Sequence, residues 1–291
     1  MSKLGLGTVQ FGTDYGINSD PGIVSKSEVK RILDFAKSKG INILDTAPAY
    51  GRSEKKLGLN DLSDFNLITK TRHFQGSEII DGDINALRND ITLTLKNLKK
   101  NNLYALLVHS ADDLMKPGAE KIYQTLRQLK REGKILKLGV SVYDPVQVES
   151  IVNRFDMDIV QLPLNILDKR MLDSGMIELL EKKNIEIHSR SVFLQGLLLT
   201  KYNERNEKFD RWKDLWKLWN EWLEDNKISA LQATIRFVLG IEYVSKVLVG
   251  VDSTEQLKEI IQASSGKLPE LPCEFKTEDT DLLNPSNWQR L

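Results

Sequence analysis

Leu103-Tyr104-Ala105-Leu106-Leu107-Val108-His109 and Leu136-Lys137-Leu138-Gly139-Val140-Ser141-Val142 bracket a segment in which Ile122, Tyr123, Leu126 and Leu129 recur at helical spacing before Gly133. Both flanking runs are mostly apolar rather than alternating, as strands must be when helices cover one face and a core the other. Strand, helix, strand in this order is a parallel βαβ unit, because parallel neighbours need a crossover connection.

The unit repeats outward in both directions. Further strand-like runs lie at Leu4–Phe11, Ile41–Ala47, Asn66–Thr71, Asp158–Leu164, Ile185–Val192 and Lys246–Val251, each with room for a helix behind it. Ser25 and Glu28 have capping-box spacing, Val29, Ile32, Leu33 and Ala36 form a stripe, and Gly40 stands at the expected C′ position. Ile84, Leu87, Ile91, Leu95 and Leu98 form a second stripe, and Asp144-Pro145 reads as N-cap and first helical residue. Leu172–Leu180, Leu231–Leu239 and Leu257–Ile261 complete the set. Eight strand–helix pairs predict a closed (β/α)8 TIM barrel, one domain over residues 1–291. A doubly wound open sheet would carry a dinucleotide fingerprint after an early strand, and Gly5-Leu6-Gly7-Thr8-Val9-Gln10 has glutamine where the third glycine belongs. One stretch breaks the rhythm: Phe209, Trp212, Leu215, Trp216, Trp219, Trp222 and Leu223 predict a Trp-rich helical insertion over about 203–226, packed on the barrel wall.

Composition narrows the class of partner. Forty-one Lys and Arg balance forty-one Asp and Glu, so no charge excess points to nucleic acid or an anionic membrane. A single cysteine, Cys273, excludes an internal disulfide and fits a reducing, cytoplasmic setting. No metal site is expected, no apolar run is long enough to span a bilayer, and the start of the chain has no apolar leader. The sequence sets no oligomeric state.

In a parallel barrel the C-terminal strand ends share one rim, where chemistry gathers. The runs here end in Asp45, Lys70, His109, Ser141, Gln161 with Asn165, and Arg190 with Ser191. A lysine at a buried strand end must be paired or lose its proton, and Asp45 is the available partner. A lysine beside Tyr50 would favour the phenolate and draw that tyrosine's pKa down from about 10. Tyr50 could then act as a general acid towards a carbonyl oxygen, with His109 orienting the same oxygen. Singly, each residue has a structural explanation; together on one rim they point to catalysis.

Asp45-Thr46-Ala47-Pro48-Ala49-Tyr50-Gly51, Lys70 within Leu67–Thr71 and Leu106-Leu107-Val108-His109 resemble the aldo/keto reductase family, and Gly7-Thr8-Val9-Gln10-Phe11-Gly12-Thr13-Asp14-Tyr15-Gly16-Ile17 resembles its bacterial branch. That resemblance implies the barrel fold and an oxidoreductase that reduces an aldehyde or ketone by hydride transfer, with a sugar-derived carbonyl as the candidate substrate. It implies a catalytic set of Tyr50, Lys70, Asp45 and His109, and NADPH as cofactor, with NADH as the alternative. Gly7, Thr8, Asp45, Ser141, Gln161, Arg190, Ser191, Phe193, Gly196, Gly250, Ser253 and Gln256 would line the cofactor. Val142 replaces an asparagine common in the family, and Asp252 stands near positions where many members carry a cation for a 2′-phosphate. Arg190 occupies the place of a stacking aromatic ring; it could favour the reduced cofactor, receive an anionic substrate group together with Arg72, or pair with a carboxylate. Two other functions compete: a cofactor-binding regulatory subunit with little turnover, and an isomerase or lyase using Lys70 as a Schiff-base nucleophile.

Overall fold

The computed structural model describes residues 2–17 and 22–291. Eight parallel strands close into a barrel in sequence order: β1 Leu4–Gly7, β2 Ile43–Asp45, β3 Asn66–Lys70, β4 Leu103–Val108, β5 Ile135–Ser141, β6 Ile159–Pro163, β7 Glu186–Arg190 and β8 Val244–Gly250. Closure is made by β1, which pairs Gly7 with Asp45 on one side and with Gly250 on the other. The helices are α1 Lys26–Ser38, α2 Ser53–Leu57, α3 Asp81–Leu98, α4 Ala119–Arg131, α5 Pro145–Val152, α6 Arg170–Asp173, α7 Met176–Lys182, α8 Lys213–Asp225, α9 Ala230–Leu239, α10 Thr254–Ala263 and α11 Thr280–Leu283.

Burial follows the alternation of side chains along each strand. Ile43, Ile68, Ala105, Leu107, Ile159 and Leu248 meet inside the barrel, while Leu44, Leu67, Leu106, Val140, Val160 and Ile187 face the helices. The N-terminal end of the barrel is closed by polar groups: Tyr104, Lys137 and His188 converge on the Glu186 carboxylate, with His188 Nε2 at 2.7 Å.

Local signals act as their residue types dictate, with three departures. The run Leu4–Phe11 is strand only to Gly7; Thr8 then turns inward, giving both its N–H (2.9 Å) and its hydroxyl (3.0 Å) to Asp45 O. The stripe Leu172–Leu180 is broken into α6 and α7 at Gly175, whose φ of +74° is open to glycine at little cost. At α1, Ser25 Oγ accepts from Glu28 N at 3.2 Å as a cap should. The Glu28 carboxylate, however, reaches across the β1–β8 seam to Thr254 N (2.6 Å) and Oγ1 (2.8 Å) rather than back to Ser25.

The Trp-rich stretch forms α8 and the turn before it. Trp212, Trp216, Trp219 and Trp222 are buried with Leu194, Leu197 and Leu198 from the loop after β7 and with Phe275, Leu282, Leu283 and Trp288 from the C-terminal segment. Trp219 stacks between Trp222 (5.6 Å) and Phe275 (4.7 Å). Among the described residues no helix is long and apolar enough to cross a membrane, and no group of His, Cys, Asp and Glu could hold a metal ion.

Candidate active site

The C-terminal ends of the strands open into a cleft of about 560 Å³, within the range of ligand-binding pockets. Asp45 ends β2, Lys70 ends β3, His109 follows β4, and Tyr50 rides on the loop between β2 and α2. All four line the cleft.

Lys70 is 1% exposed, and its ammonium directs three hydrogen bonds to Asp45 Oδ1 (2.5 Å), Thr46 O (3.2 Å) and Tyr50 Oη (3.4 Å). An ammonium has three donors, so none is left over. Burial opposes its charge, but the Asp45 carboxylate and Tyr50 outweigh that cost and hold the Lys70 pKa above its ordinary value. The second oxygen of Asp45 accepts from Gln161 Nε2 at 2.8 Å, tying β6 to the same cluster.

His109 stands edge-on to the Tyr50 ring at 6.2 Å and under the ring of His73 at 4.3 Å. Its pKa falls to about 3 through burial, reinforced by the positive charges of Lys70 and Arg190 and by His73. The imidazole is therefore neutral at ordinary pH. Its Nδ1 is buried with no hydrogen-bond partner among the described residues. A buried N–H without an acceptor is rarer than a buried acceptor without a donor, which favours the tautomer with its proton on Nε2.

The loop bearing Tyr50 is held from below. Ser53 Oγ donates to Thr8 O (2.8 Å) and receives Thr46 Oγ1 (3.2 Å). Glu54, 6% exposed, accepts from Thr69 Oγ1 (2.9 Å) and Thr94 Oγ1 (3.0 Å), which pins α2 to β3 and α3.

Of the residues expected along a cofactor, Gly7, Thr8, Asp45, Ser141, Gln161, Arg190, Ser191, Phe193, Gly196, Gly250 and Gln256 line the cleft. Ser253 is not among its lining residues; its hydroxyl caps α10 by accepting from Gln256 N at 3.2 Å. Asn165 turns away as well, accepting from Leu167 N and Asp168 N and donating to Ser191 O. Val142 O accepts from Arg190 Nη2 at 2.8 Å, so an arginine donor occupies the neighbourhood of the missing asparagine. Arg72 forms a bidentate pair with Asp90 (2.5 and 2.7 Å) and does not join Arg190.

Sequence reasoning passed over Gln10, Tyr15, Tyr143 and Gln195, all of which line the cleft. Tyr143 lies one residue beyond the run ending in Val142, so extending each run by one residue would have found it. Tyr15 and Gln195 carry no local signal. In the loop after β7, Ser191, Leu194 and Gln195 have φ of +61°, +48° and +53°, a conformation costly for side-chain-bearing residues and frequent at functional sites. That shape lets Gln195 receive Ile17 N on its carbonyl (3.0 Å) and give Nε2 to Tyr15 Oη (3.0 Å), joining the loops after β1 and β7.

The donor set fits a nicotinamide dinucleotide. The cleft runs from the Tyr50 cluster to Gln256, Glu259 and Ser286, is lined by Ser141, Ser191 and Gln161, and includes the buried Oε1 of Gln10, which has no partner among the described residues.

Comparison with known sequences decides the relationship: the profile of the aldo/keto reductase family matches residues 3–272. The chain belongs to the aldo/keto reductase family. It is 26% identical over 287 residues to the uncharacterized oxidoreductase YqkF of Bacillus subtilis, covering 92% of this chain and 88% of that protein. It is 28% identical over 218 residues to an NADH-specific methylglyoxal reductase of Escherichia coli, covering 68% of this chain and 65% of that protein. The holo form of the aldo-keto reductase AKR11C1 from Bacillus halodurans superposes with a TM-score of 0.70 at 21% identity, over 92% of this chain and 88% of that one, which shows the shared fold. This aldo/keto reductase is accordingly an oxidoreductase built on a TIM barrel.

Proposed function

We propose that this aldo/keto reductase reduces small aldehydes or ketones to alcohols with Tyr50 as the proton donor. The observation that carries the reading is the contact of Lys70 Nζ with Tyr50 Oη at 3.4 Å inside a cleft that His109 also lines. A reduced nicotinamide, when bound, would supply the hydride for the carbonyl carbon. Tyr50 gives its proton to the carbonyl oxygen, and the Lys70 ammonium beside it favours the negative charge the phenol takes on. The His109 Nε2–H donates to the same oxygen and fixes its direction. Hydride and proton together complete the alcohol, and solvent returns the proton to Tyr50. A Lys70 amine kept protonated by Asp45 is a poor Schiff-base nucleophile, which argues against the lyase alternative.

The far end of the cleft supports NADH over NADPH. Asp252 and Glu259 line the cleft, Lys70 and Arg190 are its only cationic lining residues among those described, and both cations belong to the ends of β3 and β7. The first turn of α10 is also occupied by the protein's own acceptors: Glu28 takes Thr254 N and Oγ1, and Gln256 Oε1 takes Asp252 N at 2.8 Å. A 2′-phosphate there would meet carboxylates instead of donors.

The test is loss of the reduced cofactor's absorbance with a panel of short aldehydes, sugar-derived ones included. Titration of NADH and NADPH against the protein decides the cofactor. Tight cofactor binding with no turnover on any aldehyde would sink the reductase reading, and tighter binding of NADPH would sink the preference.

A further inference from the structure

Among the described residues, Arg190 is the one cation lining the cleft without a counter-charge. Lys70 is neutralised by Asp45, but Arg190 forms no ion pair with any described residue. Its guanidinium lies 4.3 Å over the Tyr143 ring, gives Nη2 to Val142 O, and makes only a long contact of 3.3 Å from Nη1 to Ser191 Oγ. Each Nη carries a second hydrogen beyond these contacts. The contact with the Tyr143 ring and the carbonyl bond tether the fork at the wall of the cleft, so less side-chain entropy remains to be lost on binding an oxyanion. It lines the same cleft as His109 and Tyr15, and its charge acts to lower the pKa of both.

Charge balance makes this more than a vacant hydrogen-bonding position. With Lys70 and Asp45 cancelling, Arg190 leaves the catalytic end one positive charge in excess. A hydride donor ends the reaction one positive charge richer, and a fixed cation with no counter-ion opposes that change. An anion seated on Arg190 removes the opposition. We propose that Arg190 is a specificity residue that selects carbonyl substrates carrying an oxyanion, carboxylate or phosphate, a few bonds from the reacting carbon. The assignment rests on the reductase reading above for its chemistry, but not for the binding of the oxyanion itself.

The experiment compares two matched pairs: succinic semialdehyde with butanal, and glyceraldehyde 3-phosphate with glyceraldehyde. In the wild-type enzyme the charged member is expected to have the higher kcat/KM by about tenfold or more, the scale of a hydrogen bond to a charged group. The pair with the larger ratio tells carboxylate from phosphate. In Arg190→Met the ratio should fall to near unity, chiefly through KM of the charged member, and Arg190→Lys should restore part of it. General effects of either substitution on turnover cancel in the ratio. Binding of non-reacting succinate and inorganic phosphate, measured by calorimetry on the cofactor-saturated protein, should weaken in Arg190→Met in step with the ratio. Equal kcat/KM within both wild-type pairs, or a preference that survives in Arg190→Met, overturns the proposal while leaving the reductase reading in place. No turnover on any aldehyde, with oxyanion binding still dependent on Arg190, overturns the reductase reading and leaves this site standing. Oxyanion binding indifferent to Arg190→Met overturns the site.

Discussion

Gly12 meets the backbone of Tyr50 so closely that a β-carbon at Gly12 would stand 1.7 Å from the Tyr50 carbonyl oxygen and 2.5 Å from Ser53 N. The obstacle is main chain and cannot rotate away. Tyr50 is thus positioned partly by the absence of a side chain on a different loop. Gly12→Ala should lower the melting temperature by several degrees, on the scale of about 1–3 kcal/mol for overpacking, and should reduce kcat more than it weakens cofactor binding. Thermal melts and cofactor titration check this together; an unchanged kcat would mean that the Tyr50 loop is held elsewhere.

Replacing the phenol directly isolates the proton transfer. Tyr50→Phe keeps the ring that lies 5.1 Å from Lys70 Nζ and removes only the oxygen. Turnover should drop by at least about a hundredfold, the usual weight of acid–base catalysis, with the cofactor Kd within about twofold of the parent. Steady-state kinetics beside fluorescence titration distinguishes the two effects.

The buried pair Lys70–Asp45 separates stability from chemistry. Lys70→Met strands a carboxylate that is 4% exposed, and should cost about 3–5 kcal/mol in urea unfolding. The double variant Lys70→Met with Asp45→Asn removes both charges and should regain most of that stability while turnover stays low. A double variant no more stable than the single one would mean that the lysine contributes mainly by packing.

Acid should destabilise the protein in two overlapping windows. His109 titrates near 3 in the folded chain against an ordinary value of 6.5, so from pH 6.5 downward the unfolded chain takes up a proton that the folded chain refuses. Stability therefore falls as pH falls, by up to about 1.4 kcal/mol per pH unit from this group. Glu186, lowered to about 2 by His188, Lys137 and Tyr104 against the cost of burial, acts in the same direction from about pH 4.5 downward. His109→Gln should flatten the slope between pH 6.5 and 4.5, reduce it between 4.5 and 3, and leave the Glu186 share, as read from urea melts across pH.

The barrel was legible because parallel strands covered on both faces read as continuous apolar runs, and none of the eight was missing from Leu4 to Gly250. Asp45, Lys70 and His109 were legible for a related reason: a charged or polar residue ending such a run has no solvent to explain it. What stayed hidden depended on tertiary partners. Glu54 sits one residue past Ser53 in a charged, solvent-like stretch, and hydrogen bonds from Thr69, Thr94 and Asn97 offset its burial. Tyr15 and Gln195 meet across 180 positions of sequence, a contact that no local pattern encodes. Ser253, which the family resemblance places along the cofactor, commits its hydroxyl to the cap of α10 by accepting from Gln256 N. Phe275 and Trp288 show no periodicity of their own, because they complete a core whose other half is α8.

That second core collects all five tryptophans of the chain, at positions 212, 216, 219, 222 and 288. Intrinsic ultraviolet emission is therefore a local gauge, blind to events on the opposite wall of the barrel. It is wired to the cleft from two sides: Trp219 Nε1 donates to Leu198 O at 3.3 Å behind the loop after β7, and Trp288 is two residues from Ser286 at the cleft's edge. Occupancy of the cleft becomes readable without a label, and an unfolding curve followed by this light records the undocking of the C-terminal segment as well as the opening of the barrel.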